Sequence, residues 1–65
     1  MTLYFVIPYN EGQELNYIED FNGNTAQAKI RAKRMAIDLK NALPQATITV
    51  EVQNAKSLKK VAEII

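Results

Sequence analysis

Sixty-five residues, 48% hydrophobic and 23% charged with two Gly and two Pro, make one small domain spanning residues 1–65 and exclude collagenous, low-complexity and disordered chains. With no Cys and no His there is neither a disulfide framework nor a thiolate or imidazole zinc site, so an apolar core that buries only about 60% of the unfolded chain's surface must suffice. The net charge of +1 does not announce a polyanionic partner, yet residues 1–24 carry −4 (Glu11, Glu14, Glu19, Asp20) and residues 25–65 carry +5.

Thr2 to Tyr9 reads as a strand, with Leu3, Phe5 and Ile7 on one face and Tyr4, Val6 and Pro8 on the other. Both faces are apolar, which places the strand inside a sheet or under cover on its second side. Its apolar run is too short for a targeting segment and no basic residue precedes it, so a cytoplasmic protein is expected. Asn10-Glu11-Gly12-Gln13 supplies turn chemistry. Glu14 to Phe21 fits either a strand (Leu15, Tyr17, Phe21 on one face) or a short helix (Leu15, Ile18, Phe21). Length, aromatic content and the preceding turn favour a strand, at the cost of pointing Glu19 inward.

Asn22-Gly23 ends that strand, and Asn24 followed by Gln27 forms a capping-box pattern that starts a helix from Thr25 to about Ala42, closed by Leu43-Pro44. At about 100° per residue, Ala28, Ala32, Met35, Ala36, Leu39, Ala42 and Leu43 form its core-facing stripe. Ala46 to Gln53 alternates as a half-buried strand with Ala46, Ile48, Val50 and Val52 inward. Asn54 or Ser57 then caps a last helix in which Leu58, Val61, Ala62 and Ile65 repeat at helical spacing. The sum is an α+β fold, β-β-α-β-α, with the first helix on one face of a small single-layer sheet. The helix can serve as a crossover that makes the first and third strands parallel neighbours, but strand order is not derivable.

Catalytic constellations fail on inventory. Ser57 is the one serine and has no histidine to activate it, Glu19 and Asp20 point to opposite strand faces, and no Gly-rich phosphate loop exists. The expectation is a protein that is not an enzyme and uses no cofactor and no metal.

Two binding readings remain. The helix carries Lys29, Arg31, Lys33, Arg34 and Lys40 against Asp38, a basic cluster that splits into Lys29, Lys33 and Lys40 on one flank and Arg31 and Arg34 on the other, so no single nucleic-acid-facing stripe forms. Lys56, Lys59 and Lys60 extend a flank if the last helix packs alongside. In outline, the hairpin followed by Gly23-Asn24-Thr25 and an Ala-rich helix, residues 3–42, resembles the arm-binding domains at the N-terminus of tyrosine recombinases. That resemblance implies DNA reading by basic and aromatic sheet residues, whereas here the hairpin is acidic and no Lys or Arg precedes Lys29.

The second reading rests on apolar residues without a place in the core. Ala26, Ile30 and Ile37 lie opposite the core stripe, and Tyr4, Val6 and Tyr9 form an exposed apolar set on the second sheet face. These six residues are the candidate partner interface. The expected function is a small protein-interaction or self-association module, a homodimer or the binder of a protein partner, away from any membrane. Nucleic-acid binding through the helix is the disfavoured alternative.

Overall fold

A nine-residue strand, β1 (Thr2–Asn10), is the axis of the fold in the computed structural model, which describes residues 1–65. After it come β2 (Gln13–Glu14), β3 (Glu19–Gly23), α1 (Thr25–Ala42), β4 (Ile48–Asn54) and β5 (Lys60–Ile64). The result is a small α+β fold with one helix packed on an antiparallel sheet. β1 pairs with β2 and β3 along one edge and with β4 along the other, and β5 follows β4 at the far side.

Antiparallel pairing of β1 with β4 replaces the parallel option read from the sequence. Because β3 and β4 each run antiparallel to β1, they run parallel to one another with β1 between them, and the α1 crossover joins those two strands.

The β1–β2 hairpin turns on two successive positive φ values, 52° at Glu11 and 81° at Gly12, the pattern whose twist matches the flanking strands. Residues 15–18 then break the second strand in two, and the cause sits across the ladder at Pro8. The Pro8 carbonyl accepts from the Leu15 N–H at 3.2 Å, so the proline nitrogen, which points to the same side and has no hydrogen to give, faces the break. The strand expected over Glu14–Phe21 is thus real at both ends and interrupted where its neighbour offers no donor. Gly23 is buried at the exit of β3, where a Cβ would lie 2.6 Å from Gln27 Oε1 and 2.8 Å from Phe21 Cε2.

α1 starts where the sequence places it. Asn24 Oδ1 accepts from the Gln27 N–H at 2.8 Å, and Gln27 Oε1 accepts from the Asn24 N–H at 3.0 Å. Its buried residues, Ala28, Ala32, Met35 and Ala36, include three alanines, which let the helix lie close on Tyr4, Val6, Ile48, Val50 and Val52 of β1 and β4. Leu15, Phe21, Leu39, Ala46, Ala62 and Ile64 pack around that cluster. The buried phenol of Tyr4 finds its polar partner at the helix start, 2.9 Å from Thr25 Oγ1.

This core corrects the parity read for β1. Tyr4 and Val6 are core residues under α1 rather than members of an exposed patch, and Leu3, Phe5, Ile7 and Tyr9 take the other face.

The expected last helix is the strand β5. Asn54 Oδ1 does accept from the Lys56 and Ser57 N–H groups, at 2.9 and 3.0 Å, as a helix cap would, but Leu58 then takes a left-handed φ of 61° and the chain reverses into a hairpin. The Leu58 N–H returns to the Asn54 carbonyl at 2.7 Å, and the Asn54 N–H donates to the Lys59 carbonyl at 3.0 Å. A left-handed leucine costs roughly 1–2 kcal/mol, and this side chain is largely exposed, so it recovers little by burial. Leu58→Gly is therefore expected to stabilise the protein by about 1 kcal/mol once glycine's extra unfolded entropy is subtracted, read as a higher urea midpoint at unchanged slope.

No helix of the protein is long and apolar enough to cross a membrane.

Candidate interaction surfaces

One helix on one sheet leaves two broad faces without a covering layer, the underside of the sheet and the outer side of α1. Directly opposed residues of an antiparallel pair share a face, so the register defines the underside. Leu3, Phe5, Ile7 and Tyr9 form a column along β1. Asn22 and Asp20 of β3 and Glu14 of β2 flank it on one side, and Gln53, Glu51 and Thr49 of β4 on the other, with Glu63 of β5 beyond Glu51.

The column is only partly wet. Leu3 is exposed, Phe5 and Tyr9 are half-buried, and Ile7 retains 4% of its accessible surface. Its surroundings are acidic: Asp20, Glu14, Glu51 and Glu63 face one base, Lys60, whose Nζ lies 2.8 Å from Glu63 Oε1. Tyr9, Gly12, Thr49, Glu51, Lys60 and Glu63 line a depression of about 260 Å³ at one end. There partial burial, followed by the charges of Glu51 and Glu14, pushes the Tyr9 hydroxyl above its usual pKa, while Glu63 raises that of the Lys60 ammonium.

On the outer side of α1 the structure keeps the apolar row expected from the sequence. Ile30 and Ile37 are 67% and 53% exposed, and Ala26 is exposed beside them. The six interface residues therefore separate, with Ala26, Ile30 and Ile37 on the helix, Tyr9 on the underside, and Tyr4 and Val6 in the core.

The basic residues of α1 separate as well. Arg31 turns down the β3 side and forms a two-pronged ion pair with Glu19, Nη2 to Oε1 at 2.7 Å and Nε to Oε2. This pair explains why Glu19 points inward: it lies on the helix-facing side of β3 opposite Val6, and Arg31 supplies the charge it needs there. Tyr17 Oη adds a hydrogen bond to the same carboxylate at 3.2 Å. Arg34 stands 3.7 Å from Asp38 one turn along. Lys29, Lys33 and Lys40, on the flank away from Glu19, are exposed and make no ion pair. A shallow groove of about 510 Å³ beside Arg31 brings Phe21, Ile30 and Arg34 together.

Sequence reasoning missed the Glu19–Arg31 pair, whose only signal was the misfit of an acid on an inner strand face. It also missed Leu3 and Phe5 as wet members of the underside column, for which equal apolarity on both faces of β1 gave no signal. No group of three or more acidic side chains is placed to hold a metal ion. No protein-family model, curated protein or solved structure matches the chain.

Proposed function

We propose that the protein is a non-enzymatic interaction module that works by occupying a protein surface, that of a second copy included. The observation that carries this reading is the pair of apolar rows on opposite faces of a two-layer fold, Ile30 and Ile37 outside α1 and the Leu3–Tyr9 column beneath the sheet. A helix packed on a sheet normally turns only polar residues to water, and apolar rows flanked by polar residues are the anatomy of an interface centre and its rim. The isolated protein is expected to scatter light as a dimer or larger species after size exclusion at high-micromolar concentration. A strict monomer removes self-association and leaves a different protein as the partner.

Nucleic-acid binding through α1 retains only Lys29, Lys33 and Lys40 as unpaired bases on that helix, since Arg31 and Arg34 face Glu19 and Asp38. The salt dependence of phosphate binding scales with the number of bases that reach phosphates together. Polarisation titrations with mixed-sequence duplexes and single strands are expected to show weak binding at low salt that is lost at about 150 mM, close to physiological ionic strength. Sub-micromolar binding that survives the higher salt and falls on joint replacement of Lys29, Lys33 and Lys40 reverses the ranking of the two readings.

A further inference from the structure

We infer that copies of this protein associate head to tail, the outer face of α1 in one copy lying along the β1 column on the underside of the next. The inference rests on the interaction-module reading and specifies its partner and geometry.

Charge is the first argument. The outer side and flank of α1 carry Lys29, Lys33, Arg34 and Lys40 against Asp38, a net +3. The underside of the sheet carries Glu14, Asp20, Glu51 and Glu63 against Lys60, a net −3. Two-fold stacking of sheet on sheet sets −3 against −3, and two-fold stacking of helix on helix sets +3 against +3. Only the unlike faces attract, and like-charge juxtaposition is an effective way to exclude the wrong geometry.

Shape agrees with charge. The 18 residues of α1 extend about 27 Å and the nine of β1 about 30 Å, so helix and column match in length. Ile30 and Ile37, two turns apart, are spaced about 10 Å along the helix axis, within the span from Leu3 to Tyr9. Docking them there gives the sheet a helix on each side, the layered arrangement that shields both faces of a sheet. A standard interface takes about 800 Å² from each partner, under a fifth of the 4408 Å² of accessible surface, so one molecule has room for both contacts. Because the two faces differ, each added copy leaves one of each free, and assembly continues into a ring or a filament instead of stopping at a dimer.

The test is charge exchange on exposed positions. The double variant Lys33→Glu, Lys40→Glu turns the helix face from +3 to −1. The double variant Asp20→Lys, Glu63→Lys turns the sheet face from −3 to +1. Each alone now opposes like charges and is expected to lose association about tenfold or more, while an equimolar mixture of the two regains it. Wild-type association is expected to weaken between 50 and 500 mM salt, as the screening length shortens severalfold. Circular dichroism confirms that each variant is folded.

A mixture of folded variants that stays monomeric overturns the head-to-tail geometry. So does a closed dimer that is indifferent to salt and to both variants yet lost on Ile37→Asp, although that dimer preserves the interaction-module reading. A wild-type protein that is monomeric at every concentration overturns this inference and self-association together.

Discussion

Ala32→Asp is expected to abolish the folded state, while Ile37→Asp leaves the helical circular-dichroism signal intact and weakens association. Both positions lie in the middle of α1 and have similar backbone demands, so helix propensity does not separate them. Ala32 has 0% exposure and sits against the valines of β1 and β4, where a carboxylate has neither space nor a partner. Burying it costs several kcal/mol, against a total stability of about 3–10 kcal/mol for a chain of this length. Ile37 is 53% exposed, so the same charge there remains hydrated. Leu39→Asp, at a partly buried site, falls between the two. If Ile37→Asp unfolds the monomer, the outer face of α1 is not free and the interface built on it fails.

Breaking the Glu19–Arg31 pair is expected to have the second-largest effect. Arg31→Met leaves a partly buried carboxylate with the Tyr17 hydroxyl as its one remaining donor and should cost about 1–2 kcal/mol, whereas the double variant Arg31→Met, Glu19→Met recovers much of that loss. The two side chains keep 34% and 22% of their exposure, so solvent screening holds the figure at the low end for a buried pair.

The same pair makes stability depend on pH. The Arg31 hydrogen bonds hold the Glu19 carboxyl below its usual 4.5, against the opposing effect of desolvation and with added help from the Arg31 charge and Tyr17. A carboxyl depressed in the folded state contributes fully above its unfolded value and loses that contribution as pH falls through the folded one. Urea titrations from pH 7 to pH 3 are expected to show a decline that begins near the unfolded value of 4.5 and is shallower in Glu19→Gln. Equal slopes in the two proteins reject the assignment.

What was legible in the sequence was what local chemistry fixes. The Asn24–Gln27 box, the alanine stripe and the Leu43-Pro44 stop define α1, and the alternation of Ile48, Val50 and Val52 defines β4 with its inner face. The chain after Asn54 was not legible because a helix cap and a hairpin turn begin identically, with an asparagine side chain accepting from the amides two and three residues on. The distinction falls at Leu58, whose left-handed backbone no composition announces. Leu58, Val61, Ala62 and Ile65 satisfy a helical period, while the same segment satisfies a strand period with Ala62 and Ile64 inward. On the candidate surfaces, the helix row of Ala26, Ile30 and Ile37 was readable because a wheel has one inside. Of the sheet set, Tyr4 and Val6 were assigned to the wrong face because β1 is apolar on both faces and only packing against α1 selects one, whereas Tyr9 does lie on the uncovered underside.

The place of β1 in the sheet also sets the order in which the molecule can be made. It is the first element of the chain and an interior strand, and its β4 partners stand from 38 residues away, Asn10 with Ile48, to 50 residues away, Tyr4 with Asn54. The β1–β3 hairpin and α1 close over short stretches, but the β1–β4 ladder must pay a long loop-closure entropy before any contact repays it. Refolding is therefore expected to be limited by that closure and to be slower than that of a helical bundle of the same size. On the ribosome, the hairpin and helix emerge before β4, with one edge of β1 unpaired and the alanine stripe half covered. A chain stalled before Asn54 thus presents a bare interior strand, the part of this molecule most prone to pair with the wrong neighbour.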